Sequence, residues 1–137
     1  MEVVCGDATQ PAGVNPIIAV DGSSSSVNIV NVSFVGCTSQ TDGGAVSATG
    51  GASTTISNAI FQGGYSGGFG GAVASFGGLL VITASVFSNC SSALGGGAVD
   101  SSAPGSSLHI SESQFIECGS ASFGGAVLAF DGAPVEV

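Results

Sequence analysis

The ionisable side chains of this 137-residue chain are few. They are four cysteines, one histidine, one tyrosine and nine carboxylates, with neither lysine nor arginine to oppose them. Glycoside hydrolysis would want two carboxyl groups about 5–9.5 Å apart on one face. Glu112 and Glu117 are split by a bend in the chain, and nothing in a neighbouring repeat gives either a partner. A polysaccharide lyase would want a Lys or Arg base beside calcium-binding acids. That base is missing, and Asp7, Asp21, Asp42, Asp100 and Asp131 share no repeating slot. His109 aligns with Asn28, Thr55 and Val81, an outward position that marks a surface residue. No CxxC or CxxH spacing offers a zinc site. The glycine-rich run Gly63–Gly71 lacks the Lys-Ser/Thr of a phosphate loop. The expectation is therefore a non-enzymatic chain with no cofactor and no metal.

Charge narrows the partners further. The formal net charge is −9, so nucleic acid, whose binding rests on cationic side chains displacing counterions, is excluded. A polybasic membrane anchor is excluded for the same reason, and no apolar run of about 18 residues exists to insert directly into a membrane. Hydrophobic residues at 44% against 7% charged contradict a disordered chain. Met1-Glu2-Val3-Val4-Cys5 has no signal-peptide character, which leads to the expectation of a mature form or a segment of a longer protein.

The elements that position these residues follow from a repeat. Phe34, Phe61, Phe87 and Phe115 are spaced by 27, 26 and 28 residues. Five positions before each stands Ile29, Ile56, Ile82 or Ile110, and nine positions after each begins a Gly-Gly-Ala-Val block, at 43–46, 70–73, 96–99 and 124–127. Segments such as Leu80-Val81-Ile82 alternate with period two, as half-buried strands do. The odd step from Ile to Phe requires a bend, expected at the small residues Val32, Ala59, Ser85 and Ser113. Three short strands per repeat, joined by turns, make one coil. Stacked coils about 4.8 Å apart make an all-β, single-chain parallel β-helix, favoured over a β-sandwich by the fixed offsets. The rungs are expected at about 27–53, 54–79, 80–107 and 108–134, with a partial rung over 1–26 and the start of another at 135–137. The inward set is an aliphatic pair, Phe and Val from each rung. Cys5 precedes Pro11–Val14 by the same six residues that separate Cys37 from Gly43–Val46, so 5–14 reads as half of a preceding rung.

The cysteines fall three residues after the Phe column, at Cys37, Cys90 and Cys118, with Gly64 in the remaining rung and Cys5 in the preceding one. Only the pairs Cys5–Cys37 and Cys90–Cys118 join adjacent rungs, and one rung spacing suits disulfide geometry where two do not. Both bridges are expected, and with them an oxidising compartment. The competing reading is a ladder of buried free thiols.

These repeats resemble the polymorphic outer-membrane-protein type, marked by GGA followed by Ile, Leu or Val, and by FxxN. The first motif stands four times as GGAV. The second is altered to Phe34-Val-Gly-Cys37, Phe61-Gln-Gly-Gly64, Phe87-Ser-Asn-Cys90 and Phe115-Ile-Glu-Cys118. The resemblance covers nearly the whole chain. It implies a right-handed β-helical stalk displayed at a cell surface and used in adhesion, with Cys or Gly replacing the family's asparagine ladder.

The functional expectation is an extracellular, cell-surface structural module of a stalk, filament or matrix protein. Its partners would be flanking rungs or other copies stacked end to end. The alternative is an adhesive or carbohydrate-binding module contacting glycans through Tyr65, Phe69 and Phe123, in the loops before the GGAV blocks. A third reading is a non-catalytic fragment of a carbohydrate-active enzyme. The sequons Asn31-Val-Ser33 and Asn89-Cys-Ser91 put candidate glycans on outward slots.

Overall fold

The computed structural model describes residues 1–5, 15–131 and 134–136. Its regular structure is all strand, and every strand pairing is parallel. The strands fall into four sheets, each a stack of equivalent segments from successive rungs. Ser26–Val30, Ser53–Ser57, Leu79–Thr83, Ser107–Ser111 and Val135–Glu136 form the Ile sheet. Glu2–Val4, Ser33–Val35, Ile60–Gln62, Val86–Ser88 and Gln114–Ile116 form the Phe sheet. Thr38–Ser39, Tyr65–Ser66, Ser91–Ser92 and Gly119–Ser120 form a narrow Ser sheet. Ile18–Asp21, Val46–Thr49, Val73–Phe76, Val99–Ser102 and Val127–Ala129 form the Val sheet. The chain is a β-solenoid of about five turns. Past Cys5, the half-rung expected over 5–14 lies outside the described residues, as does Val137.

Register follows the repeat. Ile29 pairs with Ile56, Ile56 with Ile82, and Ile82 with Ile110. Phe34, Phe61, Phe87 and Phe115 stack with ring centroids 4.9, 4.7 and 4.9 Å apart and planes within 11°. Strand alternation sends these residues inward. With Val46, Val73, Val99 and a column of Ala45, Ala72 and Ala98, they form one continuous core. Each buried aliphatic or Phe side chain contributes about 1.5–3 kcal/mol, and only neighbouring rungs on both sides bring that burial to completion.

Two details differ from the sequence reading. The bend before the Phe sheet is made one residue earlier than expected, where Asn31, Asn58, Ala84 and Glu112 take φ between 51° and 57°. This left-handed conformation turns the chain in one step, and Asn is the residue type best suited to it after Gly. The small residues that follow serve the turn differently. Ala59 N–H donates to Ser85 Oγ at 3.1 Å, and Ser85 N–H to Ser113 Oγ at 3.1 Å, tying rung to rung.

The second difference is the fourth strand in each coil, where three were expected. The Ser sheet is only two residues wide. Its inward residues Ser39, Ser66 and Ser92 are buried, polar where the pattern of apolar residues was the guide. Ser66 Oγ donates to Phe69 O at 3.1 Å and Ser120 Oγ to Phe123 O at 2.7 Å. These hydroxyls fold the loop before each Gly-Gly pair back against the body.

Candidate functional site

That folded-back loop creates an unusual surface on the flank of the solenoid. In the Val sheet, Val73 and Val99 point into the core, so alternation sends Ala74 and Asp100 the other way. Both are nevertheless fully buried, because the loop segments cover the outside of this sheet. The loop residues form their own column, Asp42, Phe69, Gly95 and Phe123, with Phe69, Gly95 and Phe123 bridged backbone to backbone. Asp42 Oδ1 accepts from Phe69 N–H at 2.8 Å, fixing the start of the column. Phe69 meets Phe76 edge-on, with centroids 6.5 Å apart.

Three columns change character together in one rung. Gly95 stands between Phe69 and Phe123, Ser102 follows Phe76 and precedes Phe130, and Asp100 stands between Ala74 and Leu128. Small residues between two rungs of rings leave a notch of about 210 Å³ lined by Phe69, Ser102, Phe123, Leu128 and Phe130. Ser102 Oγ, its one polar lining side chain, donates to Asp100 Oδ2 at 2.8 Å. The other carboxylate oxygen, Asp100 Oδ1, is buried with no hydrogen-bond partner.

Burial pushes the Asp100 carboxyl up from 3.8 to about 6. The Ser102 hydroxyl opposes the rise and the nearby Asp42 carboxylate adds to it. The fold therefore holds a proton that the unfolded chain releases, so ionised Asp100 destabilises the fold above about pH 6. The penalty fades as pH falls toward 3.8, and at pH 7 it reaches up to about 3 kcal/mol. Asp100→Ala copies Ala74 of the preceding rung. It is expected to raise stability at pH 7 by about 1–2 kcal/mol once the lost packing is deducted. In about 1 M salt, which screens repulsion among the exposed carboxylates, the stability advantage of Asp100→Ala over the native protein should shrink from pH 7 to 5, a difference in which the Cys118 thiol, common to both proteins, cancels. Urea titrations showing the variant weaker at pH 7 would refute this assignment of the strain.

The structure brings two of the three aromatic residues singled out in the sequence to this notch. Phe69 is half-buried as one wall, Phe123 is 66% exposed as the other, and Tyr65 lies outside it on the Ser sheet, 42% exposed. Asn31 and Asn89 are exposed corner residues with φ of 57° and 53°. His109 is a half-exposed surface residue whose Nδ1 lies 2.7 Å from Glu136 Oε2. No cluster of three or more His, Cys, Asp or Glu side chains is placed to hold a metal ion among the described residues. Phe130, Leu128 and Ser102 were not singled out in the sequence, and Asp100 was weighed there only as an acid sharing no repeating slot. Their signal was a departure from the repeat, a Gly, an Asp and a Ser in one rung where its neighbours carry Phe, Ala or Leu, and Phe.

The cysteines divide. Cys5 and Cys37 are disulfide-bonded across adjacent rungs, with Cα atoms 4.7 Å apart. Cys90 and Cys118 are free thiols, so the second expected bridge is open. Each sulfur has carbonyl partners instead: Cys90 Sγ lies 3.6 Å from Phe61 O and Cys118 Sγ 3.4 Å from Phe87 O. The neighbouring Cys90 thiol pulls Cys118 down to about 6, while the Cys118 thiol and burial push Cys90 up. Thiolate character and exposure both favour reaction at Cys118. Iodoacetamide at neutral pH should therefore label Cys118 in the native protein and reach Cys90 only after unfolding. Peptide mass mapping that found Cys90 labelled first would overturn this order.

No family model, curated protein or solved structure matches the chain. The class that fold and site define is a β-solenoid carrying a lateral aromatic notch.

Proposed function

We propose that this chain is a non-catalytic structural module, a rung-stacked spacer of an extracellular stalk, filament or matrix protein. The observation that carries the reading is the state of its two end faces. Among the described residues, the outermost strands of every sheet pair on one side only. At one end the core columns run out through Phe115 and Val127, both only partly buried, and the flanking Ile116, Phe130 and Val135 are exposed. An unpaired parallel edge beside apolar side chains accepts another rung in the same register. A second copy of the chain supplies such a rung in the self-stacking form of this reading. The GGAV repeats and their resemblance to cell-surface stalk repeats point the same way, and the Cys5–Cys37 bridge suits an oxidising compartment.

Sedimentation across a wide concentration range tests the self-stacking form of the reading. Mass should rise with concentration, and Ile116→Lys, which puts a charge on an exposed edge position, should suppress the rise. A chain that stays monomeric throughout would overturn self-stacking.

A second reading has its own observation. Tyr65 and Phe123 expose large aromatic surface on the flank, away from the core, as an adhesive or glycan-binding module would. Glycan-array binding that is lost in Phe69→Ala and Tyr65→Ala would favour it over a passive spacer.

A further inference from the structure

We propose that the notch between Phe69 and Phe123 is a binding site for a quaternary ammonium group, with the Asp100 carboxylate behind Ser102 as its counter-charge. The inference stands apart from the spacer reading, since it rests on a notch in the flank across three rungs and not on the pairing of end strands.

Spacing sets the size of the occupant. Phe69 and Phe123 lie two rungs apart with Gly95 between them, a backbone separation of about 9.6 Å. A cation in the notch would rest against the Phe69, Phe123 and Phe130 rings that line it, and ring faces attract positive charge within about 6 Å. Phe130 and Leu128 close the remaining sides of the roughly 210 Å³ space.

Charge and hydrogen bonding set its chemistry. The chain carries nine carboxylates and no lysine or arginine, so nothing of its own competes for the site. Asp100 is fully buried with Oδ1 unpartnered, an uncompensated negative group one residue behind the notch wall. Four of the five lining side chains offer only carbon, and the Ser102 hydroxyl is already committed to Asp100. A sugar would lose its hydroxyl hydrogen bonds there, and a primary ammonium would leave N–H donors unsatisfied. A quaternary ammonium has no N–H to satisfy and an apolar methyl surface to bury.

Calorimetric titration with choline tests this against three controls: dimethylbutanol, its uncharged carbon isostere; methylammonium; and glucose. Choline should bind about tenfold more tightly than any of them. Gly95→Phe pushes the Leu128 side chain aside and fills the notch with a ring, so it should abolish choline binding. Phe123→Ala removes an exposed ring and keeps the fold, so it should weaken binding about tenfold. Circular dichroism confirms that each variant is folded. Equal binding of choline and dimethylbutanol would overturn the proposal in favour of a plain apolar pocket. Preference for methylammonium or glucose would overturn it in favour of a hydrogen-bonding site. Unchanged choline binding in folded Phe123→Ala would place the cation elsewhere, and absence of any choline binding would refute it outright.

Discussion

Gly71→Ala is expected to unfold the solenoid or cost about 4 kcal/mol or more, whereas Gly125→Ala, the same substitution in the same column, should cost about 0.5 kcal/mol or less. The second glycine of the first three GGAV blocks, Gly44, Gly71 and Gly97, faces the following rung at close range. A methyl group on Gly71 would strike the Gly97 carbonyl oxygen and both the nitrogen and oxygen of Ser91. These are backbone atoms, so no rotamer change relieves the collision and the rungs must separate. Separation would sacrifice the bonds from Gly71 N–H to Gly96 O at 3.1 Å and from Ala72 N–H to Ala98 O at 2.9 Å. Beyond Gly125 no atom lies within 4 Å of the added methyl. The contrast isolates stacking from any intrinsic effect of glycine, because neither position requires a positive φ. Denaturant midpoints measured on both variants decide it. Equal losses would mean that the glycine column does not set the rung separation.

Phe87→Ala is expected to cost about 3–5 kcal/mol, a large share of the 5–15 kcal/mol typical of a whole domain. Phe87 is completely buried and lies between Phe61 and Phe115, with near-parallel rings on both sides. Its removal opens a cavity that the flanking rungs cannot close while their backbone bonds hold them about 4.8 Å apart. Phe115, with a ring on one side only and partial burial, should lose less on the same truncation, about 1.5–3 kcal/mol. In a solenoid each rung is coupled only to its neighbours. Phe87→Ala should therefore also broaden or split the unfolding transition, which single-wavelength melts and native-state hydrogen exchange would both register. A sharp transition at the native midpoint would show that the aromatic stack adds little to rung coupling.

Most of the solenoid was legible because self-similarity reports the fold directly. Two fixed offsets, five residues before Phe and nine after it, placed Ile29, Phe34 and Val46 and their equivalents in stacked columns, and the structure stacks them so. The same arithmetic placed Cys5 beside Cys37. The Ser sheet was missed although Ser39, Ser66, Ser92 and Ser120 recur five residues after each Phe. Buried serine lacks the apolar signature on which strand patterns are read, and its role is to hold a loop carbonyl. The corner was displaced by one residue because side-chain size alone does not say which residue takes φ > 0. Asn31 and Asn58 carried that signal, while Ala84 and Glu112 hid it.

What the sequence determined alone is the period, the inward columns and the absence of cationic side chains, each a property of spacing or composition along one dimension. What only the tertiary structure decided is how residues of different columns meet across the flank. Gly95, Asp100 and Ser102 look like unrelated lapses in three separate repeats of position. They become one notch because the loop carrying Gly95 folds over the outside of the Val sheet and buries a carboxylate beneath it. The open Cys90–Cys118 pair belongs to the same category: adjacency was set by the repeat, but whether two neighbouring sulfurs bond to each other or to carbonyls depends on local geometry that spacing does not encode.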